Sequence, residues 1–370
     1  MSLIFTIIGG LVVFTIIVLV HELGHFIAAK KSGVKVEEFA VGFPPRVWSW
    51  KKGETTYAVN AIPFGGYVKL LGEDGTHEDD PKSMASKPAY IRLLILVAGV
   101  AFNLLFAYIV LVGIYIAGVS QPNIPGLASQ PGVESTIKVH VQSVEKGTPA
   151  AKEGLQKGDV IEKVDGKSVK DTGSVVQTVQ DKVNQDKNAK INMVISRNGH
   201  ELTKAFSTYA AKEKVGNKEV DVKRIGVVLG QTGKISAGPL NAFRAALTEI
   251  GYFIPYYLSG FVQVIGKIFS SLQVPRGASG PLGIFILSGD MVQAGLSIFV
   301  QWLVLLSVAL GILNILPILP LDGGHAFIIT IESIVRRKIP QNVKLGLSLA
   351  GWIAFGFLFI ILTLNDLNII

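Results

Sequence analysis

Residues 3–31 read LIFTIIGGLVVFTIIVLVHELGHFIAAKK, an apolar run with two histidines and a glutamate set into its last third. Leu3 to about Val20 carries no charge, and the run continues through Gly24, Phe26 and Ala28 before Lys30 and Lys31. About 20 apolar residues in helical form cross a bilayer. No basic residue precedes the run and no small-residue cleavage site follows it, so it reads as a membrane helix and not as a signal peptide. Its positive flank lies at the C-terminal end, which puts the N-terminus outside and Lys30 in the cytoplasm. His21-Glu22-Leu23-Gly24-His25 matches H-E-x-x-H. Histidines at i and i+4 share one helix face, about 6 Å apart, a spacing that suits two imidazoles on one Zn²⁺. Glu22 then stands close enough to take a proton from water that zinc has made acidic. Burying ionisable groups in an apolar helix costs about 2.5 to 3.5 kcal/mol each near the bilayer centre. A metal offsets that cost, and a chance pattern does not.

The rest of the chain supports a membrane setting. Of 370 residues, 49% are hydrophobic and only 17% charged, against about a quarter charged in soluble domains. There is no cysteine, so a metal site must use nitrogen and oxygen ligands. The net charge of +8 does not point to nucleic acid, because the basic residues form no helical stripe with interleaved aromatics. Those beside apolar runs suit an anionic lipid surface.

Hydropathy divides the chain into four parts. Residues 1–118 hold the first span, a mixed region and a second apolar run from about Ile91 to Gly118. Within the mixed region, Val47–Trp50, the turn Lys51-Lys52-Gly53-Glu54 and Thr55–Val59 read as a hairpin. Pro63-Phe64-Gly65-Gly66-Tyr67-Val68 reads as a further strand or glycine-kinked loop, and the acids from Glu73 to Asp80 as a solvated loop. Residues 119–241 hold a Pro/Gly/Ser-rich linker and a polar, strand-rich domain. Residues 242–298 open with a moderately apolar stretch, Ala242 to Leu272, that is interrupted by Glu249, Gln263 and Lys267 and reads as one or two amphipathic surface helices, a membrane crossing being the alternative; a loop follows. Residues 299–370 give strong runs at about Phe299–Ile331 and Leu345–Leu364, joined by the basic loop Arg336-Arg337-Lys338. Four spans with both ends outside put every short basic loop in the cytoplasm, while a folded domain translocates regardless of its charge.

A zinc protease site needs a third protein ligand and one open position. Asp322 is the only acid in the third strong run, within Asn314-Ile-Leu-Pro-Ile-Leu-Pro-Leu-Asp322-Gly-Gly. Depth makes it available: from the outer membrane face, His21 lies about 27 Å down its span and Asp322 about 34 Å, less for a kinked run. Both fall near the cytoplasmic boundary. His325 is set aside as a fourth ligand because water needs the open position.

With these motifs assembled, the chain resembles the site-2 protease family of intramembrane zinc metalloproteases, in its bacterial RseP-like branch. The resemblance also rests on Gly42-Phe43, Pro63–Lys69, Gly99 with Asn103, and Ser279–Ile284. Val100 replaces a proline of the family pattern, and Leu319-Pro320 displaces another by one residue. The resemblance implies an α-helical polytopic membrane protein with about four transmembrane helices, a membrane-associated β-hairpin region and an inserted extracytoplasmic PDZ domain. It implies hydrolysis of peptide bonds within single-span membrane proteins, such as anti-sigma factors already trimmed by another protease, or remnant signal peptides. His21, His25 and Asp322 would hold Zn²⁺, Glu22 would act as base, and Asn314 would contact the substrate backbone. The location implied is the inner or plasma membrane of a bacterium.

Residues 147–167, GTPAAKEGLQKGDVIEKVDGK, resemble a bacterial PDZ core: a short helix from Pro149 ended by Gly154, then a strand closed by the Asp165-Gly166 turn. The region has room for one such unit. Hydrolysis requires an extended substrate, and an edge strand near zinc could pair with an unwound one. The stretch Val47–Leu70, with Gly65, Gly66 and Tyr67, is the candidate. A catalytically silent scaffold would have no reason to keep this ionisable cluster in lipid, and a zinc transporter would carry acids in several spans.

Overall fold

The computed structural model describes residues 3–120, 127, 130–186, 189–215, 218–271, 274 and 278–367. Contacts divide the chain into two compact units, one of residues up to Val110 together with Ile250–Leu367, the other Leu111–Glu249.

The first unit opens with α1 (Leu3–Lys31), apolar on every face as a membrane helix is. The helix ends where Gly33 takes a left-handed conformation and the Val34 N–H bonds back to the Ala29 carbonyl at 2.9 Å, a glycine-based C-cap. Next come β1 (Val36–Lys52) and β2 (Thr55–Leu70), joined at Gly53-Glu54. Both strands bend, so their register builds four segments out of two strands. Phe39 pairs with Val68 on one side and Tyr57 on the other, while Trp48 pairs with Val59. The order is therefore 66–70, 36–41, 55–60, 46–52, with 66–70 and 46–52 as edges. Phe64 stacks on Phe14 of α1 at 5.1 Å, and Thr15 donates its hydroxyl to the Pro63 carbonyl at 3.1 Å. These contacts fix the sheet against the first helix. After turns at 71–88 the chain enters α2 (Ala89–Ala117).

The second unit runs through β3 (Val119–Ser120), β4 (Glu134–Ser135), β5 (Lys138–Val144), α3 (Pro149–Lys152), β6 (Val160–Val164) and β7 (Lys167–Ser168). It continues with α4 (Thr172–Gln185), β8 (Ile191–Arg197), β9 (His200–Phe206), β10 (Tyr209–Val215), β11 (Lys218–Arg224), β12 (Val227–Thr232) and β13 (Lys234–Ser236). An antiparallel sheet in the order β12-β5-β6-β8-β9 carries the core, with β7 paired to β6. Val175, Val179 and Val183 of α4 recur every fourth residue and pack on Val141, Ile161, Met193, Ile195 and Phe206. Asp171 and Ser174 form a reciprocal capping box that starts α4.

The chain returns through α5 (Pro239–Ser271), then α6 (Pro281–Gln293), α7 (Leu296–Asn314), α8 (Asp322–Val335) and α9 (Gln341–Asp366). Among the described residues, α1 from Thr6, α2, α7 and α9 are long and apolar enough to cross a membrane, and the chain is a multi-pass membrane protein. The run at 299–331 is broken by its prolines and glycines into two helices, because Pro317 and Pro320 lack the N–H that a continuous helix needs there. Residues 281–293, read as loop, form α6, which starts with Pro281 at a first-turn position where its missing N–H costs nothing. The stretch 242–272 lies in one helix, α5, with Pro255 inside it.

A candidate metal centre at the end of the first helix

Three side chains from ends of the chain 301 residues apart converge beneath α2. His21 Nε2 lies 2.9 Å from Asp322 Oδ2. His25 Nε2 lies 3.2 Å from the same oxygen and 3.2 Å from His21 Nε2. All three ligand-type atoms fall within 4.8 Å of one another, and each histidine is only 6% exposed. This is the grouping expected from the sequence, and its origin is local. The i, i+4 spacing puts both rings on one face of α1, edge to face at 80°. Asp322 is delivered by the break at 315–321: the loop folds back over the start of α8, so that a Cβ on Gly323 would lie 2.2 Å from the Ile315 carbonyl oxygen. Only glycine permits that return.

The ring chemistry suits a cation. His25 Nδ1 lies 2.8 Å from the Ile95 carbonyl oxygen; a carbonyl can only accept, so Nδ1 holds the proton and Nε2 keeps its lone pair for the centre. A carboxylate and two imidazoles, without thiolate, make a donor set that fits Zn²⁺ with one position left open. His25 and α2 come together closely. A Cβ on Gly99 would stand 2.4 Å from His25 Nε2, and one on Gly24 would stand 2.3 Å from the Ala98 oxygen.

The cluster forms part of the wall of a cavity of about 340 Å³, together with Glu22, Tyr67, Glu73, Asn314 and Trp352. Glu22 accepts the Val68 N–H at 2.9 Å. That bond shows that Val68 directs its N–H away from its sheet neighbour Phe39 and into the cavity, along the free edge 66–70. Asn314, the last residue of α7, lines the same space. Gly65 and Gly66 do not line it. The Gly65 N–H reaches Thr15 Oγ1 at 3.4 Å, and a Cβ on Gly66 would meet the Ala40 oxygen and Leu19; both pack the hairpin on its neighbours. His325 is exposed and stands outside the metal-type group.

Glu73, in the acidic loop 73–80, also lines the cavity. Much of its surface opens to the cavity, yet surrounding protein displaces enough water to raise its carboxyl above the ordinary range, offset in part by the Leu70 N–H and His25. The rest of that loop is pinned from without: Glu78 pairs with Lys338 at 2.5 Å and the Asp74 carbonyl accepts from Gln341 at 3.2 Å. Asn103, which with Gly99 formed part of the family resemblance, brings its amide to 3.4 Å from His21 Nδ1. The available signal was a single side-chain amide inside an otherwise apolar helix.

Residues 9–360 match the model of peptidase family M50. The chain is 29% identical over 361 residues to a candidate zinc metalloprotease of Clostridium perfringens, covering 98% of both chains. It is 31% identical to one from Mesorhizobium japonicum, covering 91% of this chain and 92% of the relative. The chloroplastic membrane metalloprotease ARASP of Arabidopsis thaliana is 28% identical across 98% of this chain and 78% of its own length.

Proposed function

The chain belongs to peptidase family M50, and we propose that it is a zinc metalloprotease that hydrolyses peptide bonds within the transmembrane segments of single-span membrane proteins. The observation that carries this reading is the convergence of His21, His25 and Asp322 within 4.8 Å, beside Glu22 and inside a multi-pass membrane protein. The three side chains hold zinc. Zinc bound there supplies Lewis acidity, polarising a carbonyl and lowering the pKa of water towards neutrality. Glu22, whose carboxylate faces the cavity next to His21, takes the proton of the attacking water and returns it to the leaving amine. Asn314 donates its amide to the substrate backbone across the cavity. The edge 66–70, with Tyr67 and Val68 lining the cavity, pairs with the substrate as an added strand and holds its scissile carbonyl away from helical hydrogen bonds.

The basic residues Lys30-Lys31 and Arg336-Arg337-Lys338 support a site towards the cytoplasmic face. The second unit is a PDZ-type domain on the extracytoplasmic side, a reading supported by its short helix from Pro149, the Asp165-Gly166 turn and the α4-covered sheet. The enzyme works in a bacterial cell membrane on substrates trimmed by another protease, anti-sigma factors or remnant signal peptides among them.

The test is cleavage of a tagged single-span reporter in detergent, with zinc content measured in parallel. Glu22→Gln retains zinc and abolishes cleavage, because it removes the base and leaves the ligands. His21→Ala and Asp322→Asn lose both. Zinc loss in Glu22→Gln, or cleavage that survives complete chelation, would overturn these roles.

A further inference from the structure

The polar group facing the outer ring nitrogen of His21 is the Asn103 amide, and zinc binding makes a specific demand on that contact. His21 Nε2 points at His25 and Asp322. For a neutral imidazole to offer its Nε2 lone pair, the proton must sit on Nδ1, and Nδ1–H then needs an acceptor. His25 has one in the Ile95 carbonyl. At His21 the neighbour 3.4 Å away is the amide nitrogen of Asn103, which can only donate, while Asn103 Oδ1 is buried with no hydrogen-bond partner among the described residues. Both mismatches at Asn103 Oδ1 and His21 Nδ1 disappear with a half-turn of the planar amide, whose two ends are almost equal in shape. The oxygen then accepts the His21 Nδ1–H.

We infer that Asn103 is a positioning residue that holds His21 in its zinc-binding tautomer by accepting this hydrogen bond. The inference rests on the reading of His21 as a zinc ligand. Position favours it further. Asn103 is fully buried, its backbone carbonyl accepts the Ser307 hydroxyl of α7 at 3.0 Å, and Gly99, one turn before it, lets the histidine rings lie against α2. The amide thus stands on a helix anchored from one side and in close contact with the site from the other. Its side chain has little freedom except the half-turn that the chemistry requires.

Zinc affinity of the full chain in detergent, measured by competition with a chelator, tests the inference without recourse to activity. Asn103→Leu keeps the size and removes the acceptor, and zinc affinity should fall about 10- to 100-fold. Asn103→Asp keeps an acceptor of the same shape and removes the donor, and it should bind zinc within about threefold of the native chain. A mere packing role predicts the reverse, since leucine would suit an apolar helix crossing better than a carboxylate. Native affinity in Asn103→Leu, or equal weakening in both variants, overturns the inference. Should a variant fail to fold, the zinc-loaded native chain decides: nitrogen-15 NMR should find the His21 Nδ1–H hydrogen-bonded and slow to exchange, and a freely exchanging Nδ1–H overturns the proposal. His21→Ala separates the two layers. If it leaves zinc affinity unchanged, the ligand assignment fails and takes this inference with it; if it abolishes binding while Asn103→Leu does not, only the role of Asn103 fails.

Discussion

At Gly99 a hydrogen stands where any other residue would put a carbon 2.4 Å from His25 Nε2 and 2.7 Å from His21 Cε1. The neighbours here are ring atoms held by hydrogen bonds, so they cannot yield cheaply. Overpacking of this kind costs about 1–3 kcal/mol, and Gly99→Ala should therefore lower zinc affinity by about tenfold or more, with cleavage falling alongside. Chelator competition on the purified variant checks this; unchanged affinity would mean that α1 and α2 can part freely at this level. A second residue-scale prediction belongs to the second unit. Asp159 is 1% exposed and grips Arg197 through two bonds, at 2.6 and 2.7 Å, while accepting the Gln156 N–H at 2.8 Å. Burial works to raise its carboxyl, but Arg197 and the backbone N–H outweigh burial and hold it below the ordinary aspartate range. A carboxyl lowered by folding stabilises the fold fully above its unfolded pKa, and the contribution is lost as pH falls through the folded value. The unit's resistance to hydrogen exchange should accordingly hold through neutral pH and weaken only in acid. Arg197→Ala should remove about 3 kcal/mol at neutral pH by leaving the carboxylate buried alone. Equal exchange rates in the variant and the native chain would show the pair to be idle.

At the scale of elements, the edge 66–70 is where fold and chemistry meet. Val68 directs its N–H to Glu22 at 2.9 Å, and two residues on Leu70 directs its own towards Glu73 at 3.5 Å. Alternate residues of one edge thus face carboxylates, one way in which an unpaired edge is kept from joining another strand. A substrate strand would take over these donors. Proline is tolerated at an edge where the N–H points away from the sheet. Val68→Pro should therefore leave the sheet and the zinc in place while reducing reporter cleavage at least about tenfold, the loss expected from one donor that positions the reacting group. Zinc content and cleavage measured together check it, and full cleavage by this variant would sink the added-strand reading. Sequence showed that 47–59 turns back on itself, because Lys51-Lys52-Gly53-Glu54 is a turn between two β-prone runs. It did not show that each long strand bends to supply two segments. That depends on Phe39 pairing on both sides at once, a contact no local pattern encodes.

The whole molecule contains no cysteine, so each introduced thiol reports its own position without background. Cysteines at Lys31 and Arg337 should label only from the cytoplasm, and one at Lys157 only from outside, when intact cells are treated with an impermeant reagent. The expectation follows from short basic loops staying inside while a folded domain crosses regardless of charge. Labelling of Lys31 and Lys157 from one side would remove the basis for placing His25 and Asp322 at a common depth.

Hydropathy and spacing determined the membrane class, the apolar spans, the pairing of His21 with His25 and the candidacy of Asp322 as the third ligand. These follow from short stretches of chain, since apolar length sets a span and helical period sets a face. Tertiary structure decided what depends on two distant segments touching. The division of 299–331 into α7 and α8 was foreshadowed by its prolines, but the path that brings Asp322 to His21 needs the loop to fold over Gly323. Gly65 and Gly66 pack closely because α1 and β1 lie against them, while Val68, one register step beyond Tyr67, holds the donor that faces Glu22. Glu73 belongs to a solvated acidic loop, yet it also lines the cavity. Asn103 belonged to a motif with no role of its own until α1 set His21 opposite it. Side-chain chemistry is written locally, but which partner satisfies it is fixed by the distance at which helices cross.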